Sequence, residues 1–126
     1  MRECGPCRAC CVGPEIRHRA LTKPACVACP NLSPDPGPAG CTVYETRPKP
    51  CREFVCAWAQ GAGEEGDRPD LVGVMFMRVA EGHVTAFETR PGGFRRIRAG
   101  RLVESVADRL LLVYHDGRRE ERQNGA

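Results

Sequence analysis

Residues 57–126 contain no cysteine, although the 126-residue chain has nine. No apolar run approaches the roughly 18 residues that a transmembrane helix requires, so no membrane partner is expected. The opening Met1-Arg2-Glu3-Cys4-Gly5-Pro6-Cys7 has no apolar segment of the kind a signal peptide needs. The expected location is therefore a reducing cytoplasm. Neither sign of charge dominates: 19 basic residues face 16 acidic ones. Residues 1–60 carry 8 basic and 5 acidic residues and residues 61–126 carry 11 of each, too balanced to predict a nucleic-acid partner. Lysine is almost missing, since 17 of the 19 basic residues are Arg, a bias read as compositional. No Ser/His/Asp set, GxGxxG or P-loop motif occurs.

What the chain does have is concentrated. All nine cysteines lie between Cys4 and Cys56. An odd count cannot pair fully within one chain, the adjacent Cys10 and Cys11 would crowd two bridges, and a reducing compartment disfavours disulfides. Clustered thiols in that setting point to metal. The length fits one domain over 1–126, divided into a metal-binding half at 1–60, a small sheet and helix at 68–117, and a tail at 118–126.

Residues 1–50 show no apolar periodicity and are rich in Pro and Gly, too little apolar surface to offset chain entropy. Metal–thiolate bonds would replace the core there, since structural zinc supplies roughly 10–16 kcal/mol of apparent binding energy as folding energy. From Pro50 the spacing of Phe54, Val55 and Trp58 predicts a short helix ended by Gly61. Trp58 reads as core packing, or otherwise as a lid over the metal. Residues 61–69 read as a polar loop. The run Leu71–Val79 reads as a strand buried on both faces, the Glu81-Gly82 turn as a hairpin signal, and His83–Thr89 as the returning strand. Leu102, Val103, Val106 and Leu110 repeat at helical spacing and predict a helix near 99–109. Leu111–His115 reads as a last strand stopped at Asp116-Gly117, and 118–126 as a frayed charged tail.

The cysteines fall into two groups. The first is Cys4-x2-Cys7-x2-Cys10-Cys11, whose two-residue gaps let thiolates converge on one metal or iron–sulfur cluster. Side chains of neighbouring residues rarely point the same way, so Cys10 and Cys11 are expected to serve two metal positions or to face a polynuclear site from two sides. The second group is Cys26-x2-Cys29 with Cys41, Cys51 and Cys56. Cys51 and Cys56 would stand about 140° apart on a regular helix and would not share a face. One tetrahedral zinc or one [4Fe–4S] cluster takes four thiolates, so nine cysteines could fill two sites and leave one over.

The stretch Cys4-Gly-Pro-Cys7-Arg-Ala-Cys10-Cys11 resembles the CxxCxxCC signature of the YkgJ-type cysteine-cluster family, a zinc- or iron-chelating domain. The resemblance continues through Lys23-Pro24-Ala25-Cys26, Gly40-Cys41-Thr42-Val43-Tyr44-Glu45-Thr46-Arg47-Pro48 and Cys51-Arg52-Glu53-Phe54-Val55-Cys56-Ala57-Trp58. It ends with Arg68-Pro69-Asp70-Leu71-Val72-Gly73-Val74 and so spans most of residues 4–76. It implies metal binding by Cys4, Cys7, Cys10, Cys11, Cys41, Cys51 and Cys56, with Cys26 and Cys29 as a subgroup feature. Within this motif Tyr44, Arg47 and Arg52 sit between cysteines, where Arg N–H groups can donate to thiolates and offset their charge. A flagellin lysine methylase carries a similar cluster, but this shorter chain shows no methyl-donor domain and the activity is not carried over.

His18, His83 and His115 read as surface or strand-face residues, with His18 the best-placed exception because it follows the first cysteines. Arg95, Arg96, Arg98 and Arg101 beside Phe94 read as a solvated loop and helix face. The expected fold is α+β: an irregular cysteine-rich metal-binding half packed on a small antiparallel sheet with one or two helices. The leading function is chelation of zinc or an iron or iron–sulfur centre. Two alternatives are a cluster-dependent enzyme modifying a protein substrate and a zinc-stabilised module that recognises a protein partner through its Arg-rich half.

Overall fold

The computed structural model describes residues 2, 9–19, 21–30, 49, 51, 54–96, 100–103 and 106–123. Cys4, Cys7, Cys41, Tyr44, Arg47, Arg52 and Arg98 lie outside the described residues. Two sheets and short helical turns make up a small α+β fold. A two-stranded hairpin pairs β1 (Ile16–His18) with β2 (Leu21–Lys23). A four-stranded sheet runs in the order β3 (Val74–Ala80), β4 (His83–Glu88), β5 (Arg109–Val113), β6 (Arg119–Gln123).

The expected hairpin over 71–89 is present, turned at Glu81-Gly82, with Met75 opposite Phe87 and Phe76 opposite Ala86. Its first strand starts later than expected. Residues Pro69–Val72 instead form a single helical turn, α1, with Pro at the first position, where its missing N–H costs nothing. Gly73 closes that turn in the left-handed region at φ 79°, which only glycine adopts without a steric penalty, and Val74 then begins the strand. Leu71 consequently faces solvent rather than the core.

Three further expectations are corrected. The sheet is mixed, not antiparallel: β4 and β5 run parallel, with Val84 opposite Leu110 and Phe87 opposite Val113. Residues 89–108 form the crossover, and a parallel pair requires such a long connection. Within it residues 100–103 are helical and the amide of Val106 donates to the Leu102 carbonyl at 2.9 Å. Leu110, which matched that helical period, belongs to β5 instead. The tail is not frayed over 119–123, because β6 pairs antiparallel with β5 through the Asp116-Gly117 turn. All five β6 residues are exposed and four are charged, which blunts the sheet edge against further strand addition. Finally, Lys49 and Cys51 are helical, but the helix expected through Trp58 does not continue over the described residues 54–61, of which 54–56 are irregular and 57–61 are turns. The Ala57 amide donates to the Phe76 carbonyl at 2.8 Å, so a strand carbonyl of the sheet takes the donor that a helix would use internally.

Period-two alternation divides the sheet into two covered faces. Val74, Phe76, Val84, Ala86, Leu110 and Leu112 form one face, packed under Val103 and Ala57. Met75, Phe87 and Val113 form the other, packed under Ala9, Cys26, Cys56, Trp58 and Ala59. The expectation of a strand buried on both faces therefore holds for Val74, Met75 and Phe76. Trp58 is a core residue: its ring is buried, its Nε1 donates to the Glu64 carbonyl at 2.9 Å, and the Arg2 guanidinium lies 5.3 Å from its centroid. Arg2 also donates to the carbonyls of Trp58, Ala62 and Gly63, which anchors the N-terminal end against this turn.

Candidate functional site

The second sheet face is covered by two cysteine-bearing turns lying side by side. Ala9–Cys11 is a 3-10 turn, continued by Val12 and Gly13, whose amides donate to the Ala9 carbonyl. The Cys26 amide donates to the Gly13 carbonyl at 3.0 Å, and the Cys29 amide to the Cys11 carbonyl at 2.7 Å. Two backbone bonds thus fix the Cys10-Cys11 pair against the Cys26-x2-Cys29 segment. The hairpin β1–β2 is the connection between them, and it was not visible as periodicity because each strand has only three residues. Its buried side is Ile16, Leu21 and Lys23. Cys26 sits at φ 59°, an uncommon backbone for a residue with a Cβ, of the kind that costs about 1–3 kcal/mol and persists where the surroundings impose it.

Gly13 sets how closely these turns approach the sheet. A Cβ there would stand 2.9 Å from the Met75 Cε, which would have to shift, and 3.1 Å from the Phe87 Cβ, tighter than most carbon contacts. Only a residue without a side chain lets the backbone come this near.

The six described cysteines are reduced and occupy distinct environments. Cys10 is exposed and Cys11 half-buried. Cys11 and Cys51 pack with Cys29 against Ile16 and Leu21. Cys56 lies instead with Cys26 in the cluster on the sheet. Cys51 and Cys56 thus fall in different clusters. The Cys26 thiol lies 3.7 Å from the Val113 carbonyl. Burial raises its pKa above the ordinary thiol range, with the Lys23 ammonium opposing and the Glu88 carboxylate adding to the rise.

Lys23 is a functional candidate that the sequence reading passed over. It is only 3% exposed, and its Nζ donates to the carbonyls of Val12 at 3.0 Å, Pro24 at 2.9 Å and Pro14. Burial lowers its pKa, while the thiols of Cys29, Cys26, Cys11 and Cys51, in that order, oppose the shift. One signal was available: in a chain with 17 arginines, Lys23 is one of two lysines. A compact ammonium can converge on three carbonyls where a planar guanidinium cannot.

The donors fit a soft or borderline metal in type, since thiolates select zinc, copper(I) and iron–sulfur centres. Among the described residues no three His, Cys, Asp or Glu side chains converge closely enough to hold a metal ion. Cys11, Cys29 and Cys51 are the three that share a buried cluster. His18 is half-buried on β1, whereas His83 and His115 are exposed.

A second concavity, a cleft of about 480 Å³, lies at the carboxyl ends of the parallel strands β4 and β5. Glu88, Phe94, Arg95, Tyr114, His115 and Arg118 line it. Its charges are largely spent within the fold. The buried Glu88 carboxylate accepts from the Phe94 amide at 3.1 Å and the His115 amide at 3.0 Å, tying the crossover to the end of β5. Arg118 pairs with Asp116 and stacks on Tyr114, and Phe94 meets Tyr114 edge-on at 5.1 Å. Arg95, Arg96 and Arg101 are exposed, and Arg96 donates to the Leu71 carbonyl at 3.1 Å. Among the described residues no helix is long and apolar enough to cross a membrane. Comparison with protein-family models, with curated proteins and with solved structures found no match for this chain.

Proposed function

We propose that this chain is a metal-binding protein that holds zinc, iron or an iron–sulfur centre through its cysteine cluster, in a reducing compartment such as the cytoplasm. The observation that carries the reading is the arrangement around the first turns. Cys11, Cys29 and Cys51 share one cluster, and backbone bonds join the Cys11 and Cys26–Cys29 segments. Cys4, Cys7 and Cys41 are the natural completing donors on the CxxCxxCC resemblance, and Tyr44, Arg47 and Arg52 are the neighbours that would donate to the thiolates. Cys10, exposed beside Cys11, would face a second metal position or the open side of a polynuclear site. Thiolate bonds would supply the stabilisation that the Pro- and Gly-rich first half cannot draw from apolar burial.

The test is anaerobic purification followed by elemental analysis and a visible spectrum. Structural zinc gives a colourless protein with closed thiolate coordination. Iron with sulfide gives visible absorption in proportion to cluster content. Chelation, or Ser replacement of Cys7 or Cys10, is expected to unfold residues 1–60. A protein that retains no zinc or iron after anaerobic isolation and reconstitution, with undiminished cooperative melting under chelator, would remove the reading.

A further inference from the structure

We infer that Lys23 is a positioning residue of the thiolate centre: its ammonium, clamped by the carbonyls of Val12, Pro14 and Pro24, holds the Cys11 turn against the Cys26–Cys29 turn. The inference rests on the metal-binding reading above.

The three acceptors come from both sides of the hairpin. Val12 and Pro14 flank the turn that follows Cys11, and Pro24 precedes Cys26. One side chain therefore ties the backbone next to one cysteine to the backbone next to the other. Two amide bonds alone, Cys26 to Gly13 and Cys29 to Cys11, would leave the pair hinged, and Lys23 adds a third point of attachment on the buried side. The donor count also fixes the side chain's form. An ammonium has three N–H donors and all three find carbonyls here; a neutral amine has two, and its lone pair would face the third carbonyl across a hydrogen-bond distance.

A buried cation needs a reason, because removing it from water is costly unless it is paired or fully hydrogen-bonded. The carbonyls supply the hydrogen bonds but no countercharge. The thiols of Cys29, Cys26, Cys11 and Cys51 oppose the lowering of its pKa by burial. A four-thiolate zinc site carries a net charge of about −2, so a fixed cation at its edge lowers the cost of deprotonating and burying the thiols.

The test compares the wild-type protein with Lys23→Met, which removes charge and donors, and Lys23→Gln, which keeps two N–H donors without the charge. Metal affinity is measured by competition with a chromophoric chelator. Cobalt-substituted spectra report the coordination geometry, and hydrogen exchange on β4 and β5 reports the fold. Alkylation rates of Cys11, Cys29 and Cys51 in the metal-free protein provide a readout independent of metal. Both variants are expected to keep sheet protection, to bind metal about 10–100-fold more weakly, and to expose the three thiols to faster alkylation. Wild-type affinity and alkylation rates in Lys23→Met would overturn the inference while leaving the metal site standing. Loss of sheet protection in both variants, unrecovered with excess metal, would make Lys23 a folding residue only and would also overturn it. A wild-type protein that binds no metal would instead overturn the reading of the centre itself.

Discussion

Replacing Gly13 with Ala tests whether the cysteine turns are seated on the sheet by backbone contact. The new methyl carbon would meet the Met75 Cε at 2.9 Å, the Phe87 Cβ at 3.1 Å and the Phe87 Cγ at 3.3 Å. Met75 is fully buried and Phe87 is 4% exposed, so neither can move into solvent. Overpacking of this kind costs about 1–3 kcal/mol. Gly13 has no positive φ, so Ala suits its backbone and recovers about 0.4–1 kcal/mol by restricting the unfolded chain. The net expectation is a loss of about 1–2 kcal/mol, or a midpoint lowered by roughly 3–6 °C in a chain of this size. Thermal melts followed by circular dichroism measure it. A double-mutant cycle with Met75→Ala sharpens it, because shortening Met75 makes room for the methyl. Met75→Ala alone should cost about 2–5 kcal/mol through the cavity it leaves, and the double variant should be more stable than the two losses added. A Gly13→Ala protein as stable as wild type, with additive behaviour in the cycle, would refute the idea that the turn rests directly on Met75 and Phe87.

Glu88→Ala should destabilise by about 1–3 kcal/mol, because two part-buried amides, Phe94 and His115, lose their charged acceptor; hydrogen exchange at the His115 amide should accelerate far more than at Val84. In the metal-free protein, iodoacetamide should modify the exposed Cys10 before the buried Cys26, whose thiol burial keeps protonated above the usual range; peptide mapping that finds Cys26 modified first would contradict that placement. The Tyr114 hydroxyl donates to Glu120 at 2.6 Å, which lowers the carboxyl pKa of Glu120 and raises that of Tyr114. Glu120 therefore contributes stability above its ordinary titration range that disappears as pH falls through its lowered folded value. Its carboxyl NMR titration should shift to higher pH in Tyr114→Phe, and an unchanged midpoint would show that the hydroxyl is not its main partner.

Much of the carboxyl-terminal architecture was legible because strand patterns are local. The Glu81-Gly82 and Asp116-Gly117 turns mark the strand ends, and the apolar run 74–77 needs no partner to be recognised. The errors came where a distant group took over. Leu110 fits a helical period with Val106, but its strand pairs with Val84, so the parallel crossover won. Ala57 would have extended a helix had the Phe76 carbonyl not claimed its amide. Arg119–Gln123 looks like a solvated tail because every side chain is exposed, and only backbone pairing with β5 makes it a strand.

The candidate site divides along the same line. Sequence alone determined the thiol pattern: nine thiols confined to the first 56 residues, their two-residue gaps, and a vicinal pair at Cys10-Cys11. These are properties of residue type and short spacing, which chain stereochemistry fixes before folding. The tertiary structure decided which thiols are neighbours, setting Cys51 with Cys11 and Cys29 while Cys56 joins the sheet core beside Cys26. It also decided that Lys23, ordinary in the sequence, is buried and holds the carbonyls beside the cysteine turns. Convergence of three carbonyls on one ammonium depends on how the hairpin over 16–23 folds back on its flanking turns, and no local pattern in the chain encodes that meeting.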